Sequence, residues 1–238
     1  MSNIKNNAHE KARLINDNTP FAIKESYNQL RTNLMYTAKD DNGCPIYAVT
    51  SAEASAGKST IISNLAISFA QLGKRVLLVD ADMRRPVQYK NFGYPKKQYG
   101  LSELLSSIIK DDAEVICSPG EGLFLITGGF IPTNPSELIH SKRFQALIEK
   151  WRGEYDIVFI DLPPVGVVSD PLSISKFVDG YIIVTMANKS NAKRVNAAVE
   201  TLRHVDARIL GMVINGTSLK GDGYEKYNYK NGYYNTDK

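Results

Sequence analysis

Short runs at 46–50, 75–80, 123–127, 157–161, 181–185 and 210–215 are apolar at consecutive positions rather than at alternate ones. Strands patterned this way are covered on both faces, as in a parallel sheet held between helical layers. Between the runs apolar residues recur at three- and four-residue spacing, which predicts helices over 59–72, 101–109, 136–151, 170–177 and 191–203. Strand and helix alternate, so the expected fold class is α/β: a doubly wound, mostly parallel sheet with helices on both faces. Such sheets bind ligands beyond the carboxyl ends of their strands. One helix precedes the first run, over 21–38, where Ile23, Tyr27, Leu30, Leu34 and Met35 keep helical spacing. Thr19-Pro20 supplies its start signal and Asp40-Asp41-Asn42-Gly43 a turn after it.

The two ends do not share the pattern. Residues 1–20 are rich in Asn and Lys and are expected to form a flexible leader. Residues 220–238 are polar, contain glycine and are dense in tyrosine, and are expected to be a disordered tail. The folded unit is then 21–219, within the usual size of one large α/β domain. A composition of 43% apolar and 23% charged residues is that of an ordinary globular protein, with enough apolar side chain for a sizeable core. A net charge of +4 fits an acidic membrane face or acidic partner and does not call for nucleic acid. Cys44 and Cys117 belong to no CxxC or Cys/His pattern and read as free thiols of a reducing compartment. The first eighteen residues lack the apolar stretch of a signal peptide, and no run reaches the roughly 18 apolar residues of a membrane span. The expected location is cytoplasmic.

The first apolar run leads into Ser51-Ala52-Glu53-Ala54-Ser55-Ala56-Gly57-Lys58-Ser59-Thr60, and a helix follows. Strand, loop and helix in that order are the context of a phosphate-binding P-loop. Gly57 lets the backbone approach a phosphate, and the amides of Ser55, Ala56, Gly57, Lys58, Ser59 and Thr60 face it at the positive end of the helix. Lys58 places a mobile charge between terminal phosphates, and the Ser59 hydroxyl is a ligand for Mg²⁺. A bare Gly-Lys-Ser/Thr triplet occurs by chance in about one chain in ten, and the first glycine of the full motif is Ala52 here. The flanking elements and the acidic motifs are therefore what decide for ATP and Mg²⁺.

Those motifs stand at two strand ends. Asp80 and Asp82, two residues apart, can face one side. Asp161 closes the run Ile157-Val158-Phe159-Ile160 and is followed by Leu162-Pro163-Pro164, a Walker B-like element suited to holding the Mg²⁺ water shell. A lone aspartate after a strand is as well explained as the start of a loop. Three beside a P-loop are more than one Walker B acid, and the extra pair leaves a carboxylate free to act as a base or to hold the metal. In the tail, Tyr224, Tyr227, Tyr229, Tyr233 and Tyr234 have no apolar support and cannot be core. Accessible phenols on a flexible strand suit a phosphate acceptor, each phosphate adding about −1.5 to −2 charges.

Taken together these motifs resemble the bacterial tyrosine kinases (BY-kinases) of capsule and exopolysaccharide loci, in the form whose kinase subunit is separate from its membrane adaptor. The resemblance runs from about Phe21 to the C-terminus. It rests on the P-loop, Val79-Asp80-Ala81-Asp82-Met83-Arg84-Arg85-Pro86, Ile131-Pro132-Thr133-Asn134-Pro135-Ser136-Glu137-Leu138, Ile160-Asp161-Leu162-Pro163-Pro164 and the tyrosine cluster. It implies a P-loop NTPase fold and a tyrosine kinase that autophosphorylates its tail between subunits and regulates polysaccharide synthesis and export. Asp80 would be the base toward the tyrosine hydroxyl, with Lys58 and Asp82 also in the catalytic set. Ser59, Asp82 and Asp161 would be associated with the metal, and Asn215 would lie near the adenine. The implied partners are a transmembrane adaptor or polysaccharide co-polymerase that activates the kinase at the inner membrane face, further copies of the chain in a ring, and a cognate tyrosine phosphatase.

Two positions depart from the family pattern. The oligomerisation helix usually reads Glu-x-x-Arg-x-x-Arg, and Glu25-Ser26-Tyr27-Asn28-Gln29-Leu30-Arg31 has Asn28 in the middle. The usual Pro-Gly of the P-loop is Ala54-Ser55. A positioning ATPase of the MinD/ParA kind is the alternative within the P-loop proteins, but its signature lysine position holds Glu53 and it lacks a tyrosine tail. A non-catalytic, nucleotide-gated scaffold for a membrane co-polymerase is the alternative from another class.

Overall fold

The structure is a computed structural model that describes residues 14–37, 43–96 and 98–217. Its strands are β1 Ile46–Ser51, β2 Val76–Asp80, β3 Ile116–Gly120, β4 Leu123–Ile126, β5 Ile157–Asp161, β6 Gly180–Met186 and β7 Ile209–Asn215. They form one sheet in the order β3-β4-β2-β5-β1-β6-β7, parallel throughout except that β3 runs antiparallel to β4. The helices are α1 Phe21–Thr37, α2 Lys58–Ala70, α3 Gln88–Asn91, α4 Leu101–Leu105, α5 Pro135–Ile139, α6 Lys142–Glu154, α7 Asp170–Ser173 and α8 Ala192–Arg203.

Consecutive strand residues feed two separate cores. On one face Leu77, Val79, Val158, Ile160 and Ile183 meet Phe144, Ile148 and Trp151 of α6 and Ala198 and Leu202 of α8. On the other, Tyr47, Val49, Leu78, Phe159 and Val184 meet Ile62, Leu65 and Phe69 of α2 and Leu34 of α1. Each fully buried Leu, Ile or Phe stabilises the fold by about 1.5–3 kcal/mol. Substituting a charge on either face of β1, β2 or β5 therefore breaks a core, which is why these runs carry no alternating polar positions.

The structure differs from the sequence expectation in places with local causes. β3 was not expected, because Ser118-Pro119-Gly120 does not read as a strand. It survives as the edge, where proline need not donate to a neighbour. The helix expected over 136–151 is two helices, since Ser141 accepts from the Phe144 amide at 3.2 Å and starts α6 afresh. The helix expected over 101–109 stops at Leu105, where Ser107 turns left-handed (φ 64°) and Arg143 takes up the carbonyls of Leu104, Ile109 and Lys110. The helix expected over 170–177 is four residues long, and α3 had no periodic signal. Of the expected leader, residues 14–20 are packed at Ile15, whose amide donates to Asn64 Oδ1 of α2 at 2.8 Å. The rest of that leader, and all five tail tyrosines, lie outside the described residues. Among the described residues no helix is long and apolar enough to cross a membrane.

Candidate nucleotide site

β1 ends at Ser51 and α2 begins at Lys58, so the loop between them lies at the carboxyl edge of the sheet. The loop turns into the helix at Gly57, which is left-handed (φ 88°). A Cβ at Gly57 would fall 2.0 Å from Asn215 Nδ2, so the position needs glycine twice over. Asn215, at the end of β7, donates to the Ala56 carbonyl at 3.0 Å and so braces the phosphate loop from the side. Ser55 is also left-handed (φ 63°), an uncommon conformation for a residue with a Cβ.

Ser55, Gly57, Lys58, Ser59 and Thr60 line an open pocket of about 190 Å³ together with Asp82, Arg85 and Pro164. Lys58 Nζ lies 3.3 Å from Asp82 Oδ2, and both side chains are nearly buried. Burial alone would lower the Lys58 pKa, but Asp161 and Asp82 outweigh it and hold the pKa above its usual value, so the ammonium stays charged. Asp82 Oδ1 accepts from the Arg85 amide at 3.1 Å. A larger cavity of about 800 Å³ lies at the opposite edge, lined by Ile15, Arg75, Phe92 and Phe124, and none of the motif residues reach it.

Asp80 and Asp161 lie under the pocket, fully buried and in register on adjacent strands. Asp80 Oδ2 accepts from the amides of Val87 and Gln88, each at 2.9 Å. Asp161 Oδ2 accepts from Gln88 Nε2 at 2.8 Å. The other oxygen of each, Asp80 Oδ1 and Asp161 Oδ1, is buried without a hydrogen-bond partner. Desolvation, and then the charge of Asp161, push the Asp80 pKa well above the usual carboxylate value. Desolvation raises Asp161 too, against the pull of Lys58, Ser59 and Gln88. Buried unpartnered carboxylate oxygens are costly, and a cation relieves that cost directly.

These residues fit Mg²⁺. The ion keeps several waters and takes one or two protein oxygens plus substrate phosphates. Ser59 and Asp82 at the pocket and Asp161 beneath it are oxygen donors beside a phosphate loop. Among the described residues no group of three or more His, Cys, Asp or Glu is placed to cage a metal by itself.

The P-loop and the acidic motifs meet here, but Arg84 does not join them. Arg84 turns away from the pocket: its guanidinium bonds both oxygens of the buried Asp170 (2.8 and 3.1 Å) and Ser136 Oγ (2.8 Å). It ties the loop after β2 to α5 and α7, and Arg85 is the basic residue that faces the pocket. Nothing in the linear pattern singled out Gln88, at the start of the short polar helix α3, yet it is fully buried and bonded to Asp161.

Residues 44–229 match the ParA family model, described as a NUBPL iron-transfer P-loop NTPase. Tyrosine-protein kinase YwqD of Bacillus subtilis is 34% identical over 210 residues, 88% of each chain. The chimerical protein CapA2B2 superposes with a TM-score of 0.76 at 36% identity, covering 83% of this chain and 85% of that one. The kinase domain of Escherichia coli tyrosine kinase ETK gives 0.78 at 32%, covering 83% and 77%. The chain belongs to the bacterial tyrosine kinases.

As a member of that family within the wider P-loop class, this kinase keeps the expected fold and departs where its sequence does. The position where the family has glycine is Ser55, and the positive φ there is the physical reason for that glycine. In α1, Asn28 Nδ2 donates to Glu25 Oε2 at 3.2 Å, and Arg31 reaches the Ser68 carbonyl of α2 at 2.6 Å. Glu25 and Arg31 are thus engaged inside the protomer. Glu53, at the signature-lysine position of the positioning ATPases, pairs with Arg194 of α8 at 3.3 Å.

Proposed function

We propose that this kinase transfers the γ-phosphoryl group of ATP to tyrosines of its own tail, Tyr224, Tyr227, Tyr229, Tyr233 and Tyr234, on a neighbouring copy of the chain. The observation that carries the reading is the pair of buried, unpartnered oxygens of Asp80 and Asp161 beneath the Lys58 pocket. Mg²⁺, when bound, neutralises charge on the terminal phosphates. The amides of residues 55–60 and Lys58 hold the phosphates at the helix N-terminus. Asp80 takes the phenol proton through Oδ1, its other oxygen being occupied, while the tyrosine oxygen attacks phosphorus and the bond to the bridging oxygen of ADP breaks. A carboxylate whose pKa is lifted by burial is the better proton acceptor. Asp82, Asp161 and Ser59 would hold the ion, and Asn215 supports the loop on the adenine side.

The wider role follows from the same reading. The kinase works in the cytoplasm at the inner face of the membrane, recruited and activated by a transmembrane polysaccharide co-polymerase, with a tyrosine phosphatase opposing it. Its phosphorylation state sets capsular or exopolysaccharide synthesis and export. That a similar chain exists as a chimerical protein, CapA2B2, supports a second polypeptide working with the kinase. Glu53 in its ion pair gives no support to a positioning ATPase.

The test is incubation with Mg-ATP and the cytoplasmic segment of a candidate co-polymerase, followed by phosphotyrosine mapping by mass spectrometry. Phosphate on the tail that vanishes in Lys58→Met is the expected result. ATP bound or hydrolysed with no phosphate on the tail refutes the reading. A tail-deleted copy should still phosphorylate a Lys58→Met copy, which establishes transfer between subunits.

A further inference from the structure

Gln88 bonds at once to Asp80, Asp161 and the Ser59 carbonyl. Its Nε2 donates to Asp161 Oδ2 (2.8 Å) and to the Ser59 carbonyl (3.1 Å). Its Oε1 accepts from Asn91 Nδ2 (3.0 Å) and lies 2.7 Å from Ser63 Oγ, which stands one turn along α2 from Ser59. Its backbone amide donates to Asp80 Oδ2. The side chain is fully buried.

The amide orientation is fixed by its neighbours. A main-chain carbonyl and a carboxylate only accept, so the NH₂ must face Ser59 and Asp161. The Asn91 amide donates to Oε1, and the Ser63 hydroxyl lies beside it at 2.7 Å while also 2.6 Å from the Ser59 carbonyl, with one proton for the two. The amide is thereby bound at both ends, and its loss cannot be made good by a rotation.

From this we infer that Gln88 is the positioning residue of the metal site. It occupies Oδ2 of both aspartates, with its main chain on one and its side chain on the other, and so leaves Oδ1 of Asp161 free for the ion and Oδ1 of Asp80 free as the base. The inference rests on the Mg-ATP reading above. Without the Nε2 donor, Asp161 is free to rotate and its buried charge loses a partner. Partners of this kind typically carry 10–100-fold in metal affinity.

The experiment titrates Mg²⁺ into the full chain holding a fluorescent ADP analogue, and compares analogue binding with and without EDTA. Gln88→Met keeps the volume and removes the donor. Gln88→Met should lower the apparent Mg²⁺ affinity about tenfold or more, with binding in EDTA nearly unchanged because the loop amides and Lys58 remain. A role in packing alone predicts that Met leaves the Mg²⁺ titration at the wild-type value, and that result overturns the assignment. Should Gln88→Met fail to fold, Ser63→Ala and Asn91→Ala free the amide from behind. A smaller loss of Mg²⁺ affinity supports the inference, and no loss in either refutes it. If wild-type binding of the analogue ignores Mg²⁺, the Mg-ATP reading falls and takes this one with it; a Mg²⁺-dependent wild type with unaltered variants sinks the Gln88 assignment only.

Discussion

Asp80 and Asp161 stand opposite one another on adjacent parallel strands, each with one oxygen engaged and one buried oxygen left over. Two carboxylates at that spacing repel and are poorly solvated, so the pair is destabilising, and a bound cation would relieve it. Both pKa values are raised in the folded protein, by burial first. The stability each group carries is complete below the ordinary carboxylate range and is lost as pH climbs toward the raised folded value. Asp80→Asn should therefore melt higher than wild type at neutral pH without Mg²⁺, by about 1–3 kcal/mol. That advantage should shrink to nothing as pH falls below about 4. Thermal melts across pH check this; a variant less stable than wild type at pH 7 contradicts it.

Ser55 carries a left-handed backbone that glycine would adopt without strain. Ser55→Gly should stabilise the loop conformation by about 1 kcal/mol, and nucleotide affinity should rise several-fold. Isothermal titration with ADP measures the change. In the opposite direction, Gly57→Ala drives a methyl into Asn215 and should abolish detectable binding.

Arg84 and Arg85 separate by function. Arg84→Ala leaves the buried Asp170 short of its guanidinium and should cost about 1–3 kcal/mol in denaturant unfolding. Arg85 is exposed at the pocket, so Arg85→Ala should leave unfolding within about 0.5 kcal/mol of wild type and weaken ATP binding instead. Equal losses of stability would show that the two side chains share a structural role.

Asn28 sits where the family has arginine and is turned to Glu25 of its own helix. Asn28→Arg should shift the protein toward larger assemblies in light scattering at a given concentration, and more so at low salt because the added contact is ionic. An unchanged mass at every concentration would remove α1 from the assembly interface.

The sequence by itself determined the sheet and the loop. Six strands are legible because their runs are continuously apolar, although at the edge strand β7 Met212 and Ile214 are exposed and only the inner strands are covered on both faces. The P-loop is legible because backbone approach to phosphate restricts the residues at its turn. Edge strand β3 and the break at Ser141 were not legible: an edge tolerates proline, and one capping hydroxyl outweighs a continuous apolar stripe. What only the tertiary structure decided is the wiring of the site. Asp80 and Asp161 are 81 residues apart along the chain yet in register, because β5 lies beside β2 and not beside its sequence neighbour β4. Asn215 reaches Gly57, Arg84 leaves the pocket to Arg85, and Gln88 reaches both aspartates, because packing sets direction and burial for polar side chains that carry no period of their own.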